Sequence, residues 1–190
     1  MAVVGDERDR LLDAARECVL AVGVRRTTVT DVARRAGVSR MTVYRRYPDV
    51  DAVLRDLMTR EFGAAMTEVA TRVGGPDGRS RLIAHLVATI AAFRASPLMA
   101  KVVEAEPELL LPYILDRMGE THRAAIALAL TDLTDGQADG SIRAGDPRTI
   151  AQVLLLIVQS FILSAGIAED VDEQAQLDEL ARLLDAGLRP

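Results

Sequence analysis

Between residues 31 and 48 the chain reads DVARRAGVSRMTVYRRYP, and Gly37 near its middle constrains the fold more than any other position. Upstream, Val29, Val32 and Ala33 recur at the three- and four-residue spacing of a helix face, and Thr28 or Thr30 offers a hydroxyl to cap the unpaired N–H groups at its start. Gly37 takes the left-handed conformation that ends such a helix without a Cβ penalty. Ser39 then caps a second helix, Arg40 to about Tyr47. Pro48 closes it, because the residue before a proline is driven out of helical geometry. Two short helices joined by a three-residue turn follow from these residues. Ala33 and Ala36 are small where such helices cross closely, and Val38 and Val43 fill the space beneath.

The same region concentrates positive charge. Residues 25–47 carry seven arginines against Asp31 alone, a local +6, in a chain with 23 basic and 28 acidic side chains. The remainder holds 16 basic and 27 acidic residues, or −11. A basic patch on an acidic body is the footprint of a polyanion-binding surface, with a merely solvated helix face as the alternative that charge alone allows.

A helix, a glycine turn and a second helix opening at a polar cap form a helix-turn-helix, whose second helix enters the major groove of DNA. This leaves Arg40, Met41, Thr42, Tyr44, Arg45 and Arg46 for contacts. The arginines neutralise phosphates, and Arg40 or Arg45 also suits the guanine edge, where a bidentate pair forms. Met41 and Thr42 are apolar or short enough to touch a thymine methyl.

Helical spacing continues on both sides. Leu11, Leu12, Ala15, Cys18, Val19 and Val22 form one stripe from Asp6 to Val22, ended by Gly23. Asp49 opens a long helix on which Val50, Val53, Leu54, Leu57, Met58, Phe62, Met66, Val69 and Val73 keep helical spacing. After the break GGPDG at 74–78, helical patterns run about 79–95, 97–105, 112–135, 147–166 and 173–187, and Pro112 either opens a helix or kinks one. Aromatics make up 3% with no Trp, and β-branched alternation is scarce. The expected fold is all-α: an N-terminal three-helix DNA-binding module over residues 1–48, joined by the long helix to a C-terminal helical domain over 49–190.

From about Arg8 to Asp56 the chain resembles the tetracycline-repressor-like (TetR) family of bacterial regulators, on TTVTDVARRAGVS, TVYRRYP and the following DAVL. The resemblance implies phosphate contacts from Thr28, Tyr44, Arg46 and Tyr47, and base readout by Thr30, Arg40, Met41 and Thr42. With Ser39 and Arg45 these make up the expected DNA-facing set. Members of the family usually carry a Lys where this chain has Val50, between Asp49 and Asp51. One phosphate contact is then missing, for which Arg45, Arg46 and the backbone N–H groups at the helix start would compensate.

The body beyond Asp56 is expected to bind an effector and to form a homodimer, since so short a recognition helix reads few base pairs and two copies suit a palindromic operator. The dimer is expected at the last two helices, with Leu156, Phe161, Leu177, Leu180 and Leu184. The pocket candidates are Phe62, Met66, His85, Phe93, Met99, Tyr113, Met118, His122 and Gln159, each with ordinary core packing as its alternative. Nothing in the sequence has the spacing of a metal site, a nucleophile beside a base or a phosphate-cradling loop, so no cofactor, metal or catalysis is expected. The reading is a DNA-binding transcriptional regulator, most simply a repressor released by a small apolar or amphipathic effector. The alternatives are a DNA-binding helical protein without an effector and an all-α enzyme with an incidental helix-turn-helix. A single cysteine, Cys18, which can form no intramolecular disulfide, no secretory signal and an apolar run at 153–166 of only 14 residues point to the cytoplasm and to no membrane partner.

Overall fold

The computed structural model describes residues 4–105, 120–164 and 170–190. Among these residues the chain is helical throughout its regular structure, with no strand. The helices are α1 (Val4–Val22), α2 (Val29–Ala36), α3 (Arg40–Arg46), α4 (Val50–Arg72), α5 (Gly78–Arg94), α6 (Pro97–Ala105), α7 (Glu120–Ala138), α8 (Pro147–Ser164) and α9 (Glu173–Leu188). The all-α expectation holds. Tyr113, Met118 and the ambiguous Pro112 lie outside the described residues.

The chain divides into two compact units, residues 1–62 with 95–116 and residues 63–94 with 117–190. The first takes in more than the 48 residues expected of the DNA-binding module, because the first half of α4 supplies it with Val53, Leu54, Leu57 and Met58, all buried. These side chains join Leu11, Leu12, Ala15 and Val19 of α1 and Val32, Ala33 and Val43 of α2 and α3 among the first unit's buried residues. Cys18 is buried in the same unit, and burial pushes its thiol above its ordinary range, so it is a packing residue rather than a reactive thiolate.

The second unit is built on α5, α7, α8 and α9. Its core gathers Leu82 and Ile90, Leu133, Leu154 and Val158, and Leu177, Leu180, Leu184 and Leu188. At one end α5 and α7 touch backbone to backbone: a Cβ on Gly78 would meet the Gly136 nitrogen at 2.3 Å. The approach is held by the Gly78 N–H donating to Asp139 at 2.8 Å and by Asp77, which caps α5 through the Ser80 N–H at 2.7 Å. GGPDG therefore does more than interrupt helices, since its last glycine is a packing position.

One expectation about the final helices changes. Leu177, Leu180 and Leu184 were expected at a dimer contact, but all three lie in the core of their own unit, and α9 turns Leu183 outward instead. Most of the apolar run lies on α8, an 18-residue helix within the span expected to be helical, and by length and composition alone the whole helix is long and apolar enough to cross a membrane. One face of it, Ile150, Ala151, Leu154 and Val158, is buried in the core of the unit, while Val153 and Leu156 face out.

Candidate nucleic-acid interface

The geometry of α2 and α3 is set by three local devices. Thr28, not Thr30, is the cap of α2: its hydroxyl accepts from the Asp31 N–H at 3.2 Å and donates to the Asp31 carboxylate at 2.6 Å. That hydroxyl holds the Asp31 carboxyl below its ordinary range. Gly37, at φ 69°, closes α2 in the left-handed region, and the Val38 N–H donates to the Ala33 carbonyl at 3.0 Å. Ser39 caps α3 by accepting from the Thr42 N–H at 3.1 Å. Each device was legible as a residue type at a fixed offset.

Above this turn, α3 buries only Val43. Arg40, Tyr44, Arg45 and Arg46 are exposed, Met41 is 74% exposed, and Thr42 is half-buried with its hydroxyl 3.0 Å from that of Ser39. Thr28 and Thr30 are exposed at the start of α2. An apolar, solvated Met41 costs free energy that a partner surface would recover.

Tyr47 departs from the expectation of a phosphate contact. Its side chain is buried and its hydroxyl donates to Asp56 on α4 at 2.6 Å. Burial, helped by that carboxylate, pushes the phenol up to about 12. Asp56 also accepts two bonds from Arg8 on α1, at 2.9 and 2.6 Å. Burial favours the neutral form of Asp56, but Arg8 and Tyr47 outweigh it and hold the carboxyl below its ordinary range. The interaction is thus fully present at neutral pH and is lost as pH falls through that lowered range. Arg8 and Asp56 were not among the expected residues. They are 48 positions apart, so no local pattern announces the pair.

The arginines are also less free than their count suggests. Arg34 pairs with Asp31 at 2.7 Å, Arg35 with Glu17 at 3.4 Å and Arg45 with Glu7 at 3.3 Å. Adding Glu7 and Glu17 of α1 to the window brings its charge from +6 to +4. Arg40 has no carboxylate partner among the described residues. A cleft of about 220 Å3 lies beside Cys18, Val22, Arg26, Arg34 and Arg35, and two of its three arginines are those already paired. At the start of α4 the Ala52 N–H donates to the Asp49 carboxylate at 2.7 Å. That amide was expected to be available to a phosphate, and a carboxylate holds it instead.

The pocket candidates divide between the units. Phe62 and Met99 are buried in the first, and Met66, Phe93 and His122 are buried in the second. His122 Nε2 lies 2.5 Å from the Gln159 amide, a polar pair between α7 and α8. His85 is committed elsewhere: Nδ1 is 2.7 Å from Asp132, which also binds Arg81, and Nε2 is 3.0 Å from the Val73 carbonyl. It ties α5 to α7 and to the residue after α4, and both ring nitrogens are occupied.

A glycine-turned, doubly capped helix pair carrying an exposed arginine-rich helix defines a helix-turn-helix DNA-binding protein. The family described as bacterial regulatory proteins, tetR family, matches residues 11–57. An uncharacterized HTH-type transcriptional regulator of Mycobacterium tuberculosis is 38% identical over 184 residues, covering 96% of this chain and 95% of that protein. The regulator AqdR of Rhodococcus erythropolis is 44% identical over 54 residues, 28% of this chain and 26% of its own. Among solved structures, the R. erythropolis transcriptional repressor QsdR, of the TetR family, superposes with a TM-score of 0.72 at 17% identity, over 99% of this chain and 98% of its own. The regulator FadR from Bacillus subtilis, in complex with stearoyl-CoA, gives 0.66 at 20% identity, over 95% and 99%. At these identities the solved structures show a shared fold alone. The chain belongs to the TetR family of transcriptional regulators.

Proposed function

We propose that this regulator is a cytoplasmic, non-enzymatic repressor that binds a palindromic operator as a homodimer and is released by an amphipathic small molecule. The observation that carries the DNA-reading part is α3 itself. It is capped at Ser39, anchored from beneath by Val43, and presents Arg40, Met41 and Tyr44 to solvent. Arg40, without a carboxylate to displace among the described residues, is the base reader, while Arg46 and Tyr44 beside it take phosphates, with Thr28 at the start of α2. Three paired arginines exchange a carboxylate for a phosphate on binding, so their contribution to the salt dependence is smaller than their number implies.

Outward apolar side chains support the dimer. Val153 and Leu156 on α8 and Leu183 on α9 are each more than half exposed on helices whose other faces form the core. Two copies related by a two-fold axis place two recognition helices on successive major grooves, which a palindromic site matches. The effector reading draws on the part-buried His122–Gln159 pair between two largely apolar helices and on the stearoyl-CoA complex of FadR, which shares the fold. A ligand with a long apolar part and one polar end suits such a lining.

Four outcomes are expected. On a duplex selected by the protein from a random pool, Arg40→Ala lowers affinity by about 1–3 kcal/mol and relaxes the preference at one base pair. Arg46→Ala weakens all sequences alike and lowers the slope of log K against log salt by about 1. Exchanged outcomes would rotate α3 and reverse the two roles. Leu156→Glu yields a folded monomer by light scattering, since the side chain is 60% exposed within its own chain; an unchanged dimer mass removes α8 from the interface. Finally, any fatty-acyl compound that raises the melting temperature also lowers DNA affinity, and DNA lowers affinity for that compound by the same factor. A stabilising compound that leaves DNA affinity unchanged argues against release by an effector.

A further inference from the structure

Three elements of the first unit converge on the carboxylate of Asp56: α1 through Arg8, the C-terminal end of α3 through Tyr47, and α4, which carries Asp56 itself. We propose that Asp56 is a positioning residue for DNA reading, setting the rotation of the recognition helix through its hydrogen bond from the Tyr47 hydroxyl. The inference rests on the reading of α3 as the base-contacting helix.

Packing alone does not set that rotation. α3 has seven residues and buries only Val43, and one buried knob fixes a pivot without fixing the turn about it. Ser39 holds the N-terminal end through its cap. At the other end Tyr47 has left helical geometry at φ −128° and ψ 126°, and its N–H still donates to the Val43 carbonyl at 2.9 Å. Its buried ring and bonded hydroxyl are therefore rigidly connected to the last turn of α3. A contact geometry that tolerates only about 0.5 Å or 10–20° of error needs such a second anchor.

The anchor is itself held. Arg8 grips Asp56 with Nε and Nη2 in a two-point geometry that leaves the carboxylate little freedom, and Oδ2 is shared with Tyr47. With its phenol pushed up to about 12, Tyr47 is protonated at neutral pH and remains a donor. Arg46, a phosphate-contact candidate, lies over the Tyr47 ring at 6.0 Å, so the same ring also sets where that guanidinium sits. Because Asp56 rides on α4, a displacement of that helix reaches Tyr47 directly, without passing through α2 or the turn.

The test compares wild type, Tyr47→Phe and Asp56→Asn on two duplexes: one selected by wild type from a random pool and a scrambled duplex of the same length and composition. Circular dichroism and melting establish a temperature at which each protein is folded. Both variants are expected to lose about tenfold in affinity for the selected duplex, comparable to one base-edge contact, and to bind the scrambled duplex within about twofold of wild type. A role confined to stability would lower the melting temperature and leave the ratio of the two affinities unchanged, which overturns the inference. If Asp56→Asn fails to fold, Tyr47→Phe, which removes one oxygen and leaves the Arg8–Asp56 pair intact, decides alone. A wild-type protein that selects no duplex overturns the DNA-reading assignment itself, and is distinguished by failing before any variant is compared.

Discussion

A helix of seven residues with one buried side chain cannot hold itself in water, where isolated helices shorter than about 12 residues are marginal. Much of the first unit can be understood as what holds α3 in place. Ser39 accepts from the Thr42 N–H, one of the orphan amides of its first turn, Gly37 sets the angle at which it leaves α2, Val43 enters the common core, and Tyr47 and Pro48 end it. The result is a short, rigid platform with its polar and apolar side chains raised from one side. A longer helix would gain stability of its own, yet only its first turns would reach base edges in a groove about 12 Å wide.

Electrostatics shapes the same surface by restraint. The acidic side chains of Glu7 and Glu17 come from α1, outside the arginine-rich segment, and pair with Arg45 and Arg35 in the DNA-free protein. These exposed pairs contribute little to stability. Under the proposed DNA-reading role their consequence is for binding: each would exchange a carboxylate for a phosphate, which would temper non-specific affinity and leave Arg40 as the proposed base reader. Asp49 at the head of α4 acts in the same direction, since its carboxylate takes the Ala52 N–H that would otherwise face a phosphate.

How much of this was legible depended on the range of the interaction. Caps, the left-handed glycine and the inward faces of α1, α2 and α4 are local, written as residue types at offsets of three or four, and the bounds of α1 to α6 followed to within a residue or two, whereas α7 ends three residues beyond the expected 135. Tyr47 was misread because burial at a helix end depends on what α4 and α1 bring to it, and an Arg8–Asp56 pair across 48 positions leaves no periodic trace. The same limit explains α9. Its leucines declared an apolar stripe correctly, but an amphipathic pattern does not say whether the stripe meets the chain's own core or a second copy. For Leu177, Leu180 and Leu184 the core won. His85 looked like a pocket residue because Asp132 and the Val73 carbonyl, its partners, are far along the chain.

The second unit is larger than DNA reading requires, and its helices are tied by side-chain networks at one end, Arg81–Asp132–His85 and Gly78–Asp139, and by aliphatic packing along α8 and α9. In the proposed homodimer, such a body would be what spaces the two recognition helices. The most direct measurement is a hydroxyl-radical footprint of the protein on its selected duplex. Two protected segments related by a two-fold axis and centred about one helical turn apart are what a pair of α3 helices requires. Uniform protection along the duplex, or protection of a single segment by a protein of one-chain mass, would contradict it.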